Sequence, residues 1–285
     1  MRHDWLYYRV YVASLTEIRD LVERVVAPTM RRFVTELPGV QWFFLQYIDV
    51  LGLHLRLRIY APLSSITACE AELDQAFTIA LDNLRAKAGP PTGQVNRMVT
   101  KRLYEPEYEK FGGPQGVALA ERIMQRGSEA ALACARPDLR PLRTAIGAAH
   151  TDALIRRLPQ KMHIPFLHQY AWYWSGRARI DTPWQPSLPA LDHRDPAAIG
   201  RARRLRTFID HVMDDPDTGP ILSRYTTDFW HMVSTEGLPR RDYLTAFHHI
   251  HLMNNRLGIV PGEEMQIARL LWIERLTEHH NGIAG

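Results

Sequence analysis

Between Trp42 and Tyr60 the chain holds two strand-like runs, WFFLQYID and HLRLRIY, separated by a short glycine-containing turn. This pair constrains the fold more than any other stretch. In the second run Leu55, Leu57 and Ile59 alternate with His54, Arg56, Arg58 and Tyr60. A period of two places the leucines on one sheet face and both arginines on the other. The first run is nearly all apolar, which predicts a central strand buried on both faces.

The flanking sequence completes a pattern. Trp5–Val12 (WLYYRVYV) is aromatic and β-branched, as a strand requires. Ser14 with Glu17 forms a capping-box signature, and Leu15, Ile18, Leu21, Val22, Val25 and Val26 follow at helical spacing. Pro28 interrupts that spacing and predicts a kink or restart. After Pro38-Gly39 come the two strands, then a helix from Ser64 or Ser65 to about Ala86, then a strand over Gln94–Leu103. The order β-α-β-β-α-β is that of a ferredoxin-like sandwich. Beyond the loop Tyr104–Gly113 the chain reads mainly helical: Gly116–Cys134, Leu142–Leu158, Arg201–Val212, Ile221–Val233, Arg240–Leu257 and Glu263–Leu276, with a turn at Pro216–Pro220. Segment 159–200 is rich in proline and aromatics and has no clear period. Its WYWSGR, Trp172–Arg177, reads equally as an exposed aromatic patch or a packing knot. The expected class is therefore α+β: a ferredoxin-like unit over 1–113 and a mainly helical region over 114–285, packed as one compact domain.

Composition excludes several classes. Hydrophobic residues at 46% and charged residues at 23% describe a globular chain. No run approaches the roughly 18 apolar residues of a membrane span, and no signal peptide is visible, so a cytoplasmic protein is expected. Cys69 and Cys134 match no metal or disulfide spacing and are expected to be reduced core residues. A net charge of +4 is mild. Nucleic-acid binding calls for a denser basic face; Arg201, Arg203, Arg204 and Arg206 read better as a solvated helix face. GxGxxG, GxxxxGK[ST] and GxSxG are all absent, as are ligand sets for zinc, haem or iron–sulfur clusters. No cofactor or metal is expected.

Three groups carry candidate chemistry. Arg56 and Arg58 present two planar donor forks to an anion, against the plainer reading of a solvated sheet face with cross-strand ion pairs. Glu105, Glu107, Glu109 and Lys110 precede Gly112-Gly113, where backbone can approach a ligand closely; a charged surface turn is the alternative. In HHIHLMNNRL, His248–Leu257, His248 and His251 lie three apart and His251 and Asn255 four apart on one helix. Proton transfer is natural for a histidine near neutral pH. A buried, hydrogen-bonded histidine is the alternative, and zinc would need a further ligand.

These segments together resemble the C-terminal glutamate-elimination domain of lantibiotic dehydratases, which also occurs as a free-standing protein of thiopeptide-type bacteriocin biosynthesis. The matching stretches are WLYYRVY, WFFLQYID, HLRLRIY, YEPEYEKFGG, GSEAAL at Gly127–Leu132, and HLMNNRLGI. In that family a partner dehydratase glutamylates Ser or Thr of a precursor peptide from glutamyl-tRNA, and the elimination domain removes glutamate to leave dehydroalanine or dehydrobutyrine. The resemblance implies a cofactor-free lyase. It places proton transfer on His251 and anion stabilisation on Arg56 and Arg58. Glu107 would orient a neighbour, and Lys110 would hold the departing glutamate where the family pattern has arginine. The partners implied are a leader-bearing precursor peptide and the dehydratase, with no direct nucleic-acid or membrane contact. Two alternatives stand beside elimination. One is a pyridine synthase, which joins two dehydroalanines in a formal [4+2] cycloaddition and expels the leader. The other is an inert peptide-binding subunit that takes a leader as an added strand.

Overall fold

In the computed structural model, residues 2–88, 97–181, 194–236 and 242–283 are described. They form two compact units, Met1–Leu132 and Ala133–Gly285.

The first unit is an α+β sandwich. Strands β1 (His3–Tyr11), β2 (Gln41–Asp49), β3 (Gly52–Pro62) and β4 (Val99–Arg102) make an antiparallel sheet in the order β2-β3-β1-β4. This is the order expected of a ferredoxin-like unit. Of the strand predicted over Gln94–Leu103, Gln94 to Asn96 lie outside the described residues. Leu55, Leu57 and Ile59 face one way with Tyr8, Val10, Trp42 and Phe44, and are buried against helices α1 (Leu15–Leu21), α2 (Ala27–Glu36) and α3 (Leu63–Ala88). Each such buried aliphatic or aromatic side chain contributes about 1.5–3 kcal/mol.

The Ser14 cap forms: its Oγ accepts from the Glu17 N–H, and the Glu17 carboxylate accepts from the Ala13 N–H. The helix does not break at Pro28. A π-helical turn, Val22–Val26, joins α1 to α2, with the Ala27 N–H reaching Val22 O five residues back. Widening the turn ahead of Pro28 accommodates a residue that has no N–H and whose ring would crowd the preceding turn.

Strand β2 is at the sheet edge, not the centre. Its apolar run has another cause: both faces are covered, Trp42 and Phe44 by the helix-side core and Phe43 by aromatic rings on the opposite face. Its outer rim meets helix α5 (Pro114–Cys134). There Ser128 Oγ accepts from the Phe44 N–H at 3.2 Å and donates to Met124 O at 2.9 Å. Between Tyr104 and Gly113 the chain makes one helical turn, α4 (Tyr108–Phe111), which stops at Gly112 and Gly113, both with positive φ.

The second unit is helical: α6 (Arg143–Ile155), α7 (Gln160–Asp181), α8 (Pro196–Asp214), α9 (Thr218–Thr235), α10 (Asp242–Arg256) and α11 (Pro261–Ile283). Residues 160–181, which show no clear period in sequence, form α7 despite Pro165 within it. Trp172 on this helix is exposed and Trp174 buried, so the WYWSGR segment is in part both a surface patch and a packing knot. Helix α6 is the buried centre: Ala145 to Asp152 are all shielded, and Asp152 gathers Arg156, Arg206 and Arg275. Arg201, Arg203 and Arg204 are exposed on α8, as a solvated face requires, but Arg206 of the same group turns inward and pairs with Asp152 and Glu274. Both cysteines are free and buried. No helix among the described residues is long and apolar enough to cross a membrane.

Candidate functional site

The first cluster lies on the sheet face opposite α1–α3. The ladder sets Arg58 between Tyr7 of β1 and Phe43 of β2, and Arg56 between Arg9 and Leu45. Arg58 is buried, at 9% exposure, and its guanidinium carbon lies 4.6 Å from the ring centroid of Tyr7 and 5.2 Å from those of Phe43 and Tyr104. Among the described residues it makes no hydrogen bond or ion pair, and its Nε is buried without a partner. Loss of water pulls its pKa down. A cation in an aromatic box gains about 0.5–2 kcal/mol per ring, which does not replace the hydrogen bonds a buried guanidinium loses. Its open donors suit an oxyanion or carboxylate.

Arg56 differs. Its guanidinium lies 3.4 Å from the Tyr47 ring centroid, and its Nε–H donates to His54 Nε2 at 3.1 Å. Because Nε2 accepts, His54 carries its proton on Nδ1, which faces Gly52 O at 3.1 Å. Burial keeps this imidazole below its usual pKa. Nearby, Asp49 accepts from Tyr11 and Arg9. The plain ion-paired face considered from sequence therefore holds for Arg9 but for neither Arg56 nor Arg58.

Glu107 and Lys110 meet each other across one turn at 2.8 Å, with side chains 57% and 34% exposed. Glu105 and Glu109 are exposed beside them. The Glu107 charge reaches Arg58 through its field, without an ion pair. Tyr104, at the start of this loop, donates to Glu121 of α5 at 2.7 Å; burial raises the pKa of both groups.

The second cluster is in the helical unit. His251 on α10 places Nδ1 2.9 Å from Glu264 Oε1, and Trp174 stacks on its ring with centroids 4.2 Å apart at 24°. Glu264 is fully buried, and its Oε2 accepts from the Tyr170 hydroxyl and, at 3.2 Å, from Asn254 Nδ2. The local sequence builds this. Gly258, in the left-handed region, ends α10 with Ile259 N–H on Asn254 O and Gly258 N–H on Asn255 O, a Schellman stop. Pro261 then opens α11, and Glu263 Oε2 accepts from the Val260 N–H at 3.0 Å. Arg143 clamps the turn through Gly258 O and both Glu263 oxygens. The first turn of α11 thus returns Glu264 to the face of α10 that carries His251 and Asn254. The asparagine that meets Glu264 is Asn254. His249 is buried, and no metal-binding group of His, Cys, Asp or Glu occurs among the described residues.

Sequence reasoning missed Tyr7, Tyr104 and His54 in the first cluster and Tyr170, Trp174 and Glu264 in the second. Only the glycine after NNRL hinted at Glu264, because a helix stop there folds the next helix back.

A family model described as "Lantibiotic biosynthesis dehydratase C-term" matches residues 5–274. No curated protein matches the chain in sequence. Among solved structures, the tRNA-dependent lantibiotic dehydratase MibB from Microbispora sp. 107891 is similar, with 19% identity and a TM-score of 0.56. The match covers 99% of this chain and 29% of MibB. TsrL is similar over 98% of this chain and 96% of its own, with 16% identity and a TM-score of 0.64. TbtD, a pyridine synthase from thiomuracin biosynthesis, is similar over 98% of this chain and 99% of its own, with 14% identity and a TM-score of 0.64.

Proposed function

The chain belongs to the lantibiotic dehydratase C-terminal family, and from that premise we propose that it is a pyridine synthase acting on a dehydrated ribosomal precursor peptide. One observation carries this reading: the fold is more similar to that of the pyridine synthase TbtD, with a TM-score of 0.64, than to that of the dehydratase MibB, with 0.56. The loop that would serve glutamate departure gives further support, since it has Lys110 for arginine and ties that lysine to Glu107.

The chemistry is redox-neutral. The amide before one dehydroalanine tautomerises to its iminol and forms a 2-azadiene. Two carbon–carbon bonds form to the second dehydroalanine. Loss of water, then of the leader as its terminal amide, leaves the pyridine. Iminol formation moves a proton from nitrogen to oxygen, and aromatisation takes one proton from each of the two ring methylenes, one leaving with the water and one with the leader amide; none of the steps requires a cofactor. His251 serves as the proton carrier, and Arg56 and Arg58 stabilise negative charge on carbonyl oxygen.

Glutamate elimination remains as a second reading, favoured by one observation: the buried guanidinium of Arg58 is open to a carboxylate. There His251 would take the α-proton, Glu107 would orient its neighbours and Lys110 would hold the leaving glutamate. In both readings a glutamyl-tRNA-dependent dehydratase acts upstream, and this chain handles only peptide. A mass-spectrometric assay with two substrates decides. A dehydrated, azole-containing peptide should yield a pyridine macrocycle and free leader, and a glutamylated peptide should stay intact. Release of glutamate with no macrocycle would reverse the order of the two readings. Turnover of neither would favour a non-catalytic, peptide-binding role.

A further inference from the structure

We propose that Glu264 is a positioning residue that fixes His251 in one tautomer, with the proton on Nδ1 and the lone pair on Nε2. The inference rests on the reading that His251 moves protons. Its geometric half stands without it.

The hydrogen-bond inventory around Glu264 leaves little choice. Oε2 takes two donors: the Tyr170 hydroxyl and Asn254 Nδ2. Burial and the neighbouring carboxylate push the Tyr170 pKa well up, so this hydroxyl stays protonated and donates. Among the described residues Oε1 faces only His251 Nδ1, at 2.9 Å. A carboxylate offers acceptors alone, so the proton in that contact sits on Nδ1. This leaves Nε2 as the basic atom. Among the described residues Nε2 has no hydrogen-bond partner, and the side chain is 30% exposed. The Trp174 ring against one imidazole face restricts its rotation.

The arrangement exceeds what packing alone needs. Glu264 is fully buried, and a buried carboxylate is costly unless donors converge on it. Three donors do, one of them the ring of the histidine. A carboxylate behind a catalytic imidazole holds its orientation and stabilises the imidazolium. Tyr170 and Asn254 in turn hold the carboxylate.

The test is long-range 1H–15N correlation spectroscopy on the full chain, with His251 assigned by the signals lost in His251→Asn. Wild type should show a protonated Nδ1 and an unprotonated Nε2 in the neutral ring. Glu264→Gln should move His251 toward the opposite tautomer and cut turnover of the dehydrated peptide about 10- to 100-fold at similar KM. It should add nothing to the loss in His251→Ala. A wild-type ring protonated on Nε2 overturns the proposal, and so does a tautomer unchanged in Glu264→Gln. If the tautomer switches and turnover holds, the pairing stands but proton transfer by His251 falls. Should Glu264→Gln fail to fold, the wild-type spectrum decides alone.

Discussion

Arg58 of β3 faces Tyr7 of β1 across the ladder, its guanidinium carbon 4.6 Å from the tyrosine ring centroid. The register places the cation on a ring, and among the described residues no carboxylate makes an ion pair with it. A buried charge held this way is a liability to folding unless a ligand completes it. Arg58→Met keeps the volume and removes the charge. Its unfolding free energy should stay within about 1 kcal/mol of wild type or rise, while turnover falls at least about 100-fold. Urea denaturation beside the peptide assay checks both. A large loss of stability would mark the arginine as structural.

Lys110 separates the two enzymatic readings. Its ion pair with Glu107 is exposed on both sides, so breaking it should leave stability unchanged within the 0–1 kcal/mol typical of such pairs. If the chain closes pyridines, Lys110→Ala should form macrocycle at a rate within about twofold of wild type. If it eliminates glutamate, the same variant should lose most activity and Lys110→Arg should keep or raise it. Progress curves on both peptides give the answer.

The alternation Leu55-Arg56-Leu57-Arg58-Ile59 made the sheet legible, because a period of two fixes which residues share a face. The order of elements gave the topology for the same reason. The edge position of β2 was not legible. An edge strand covered on both faces reads like a central one, and Ser128, which meets its rim, lies 84 residues on. Helix α7 was hidden by Pro165 and by aromatics that fit strand or helix alike. The candidates Arg56, Arg58, Glu107, Lys110 and His251 were named by segment likeness. Their partners were not, since Tyr104 meets Arg58 and Glu264 meets His251 through packing between distant elements, which no local period records.

Gly147 lets α6 approach Asn254. A Cβ at that position would lie 2.7 Å from Asn254 Oδ1 and 2.3 Å from Ile259 Cδ1. Ile259 can swing aside, but Asn254 is held by Glu264. Alanine's helix propensity returns up to about 1 kcal/mol, against about 1–3 kcal/mol for overpacking. Gly147→Ala should therefore be destabilised by about 1–2 kcal/mol in urea and lose turnover beyond what its folded fraction explains. Full activity would show that Asn254 does not need its place.

His150 of α6 sets the acid limit of the helical unit. It is fully buried, its ring centroid is 5.4 Å from that of Tyr225, and its pKa is brought down to about 3, first by loss of water and then by the charge of Arg256. The unfolded chain would protonate this histidine near pH 6.5. Between these two values the unfolded state binds more protons than the folded state, so stability rises with pH and falls on acidification. At about 1.4 kcal/mol per pH unit, His150 removes about 2–3 kcal/mol between pH 6.5 and 4.5. His54, also lowered by burial, adds in the same direction. The carboxylates of Asp152 and Glu263 have lowered pKa values, so their contribution persists through this window and is lost only below it. His150→Gln keeps a polar side chain of similar size without the titration. Urea midpoints measured at half-unit steps should show a shallower acid limb for the variant, with the two curves diverging below pH 6.5. Parallel curves down to pH 4.5 would mean that His150 takes up its proton while the unit stays folded.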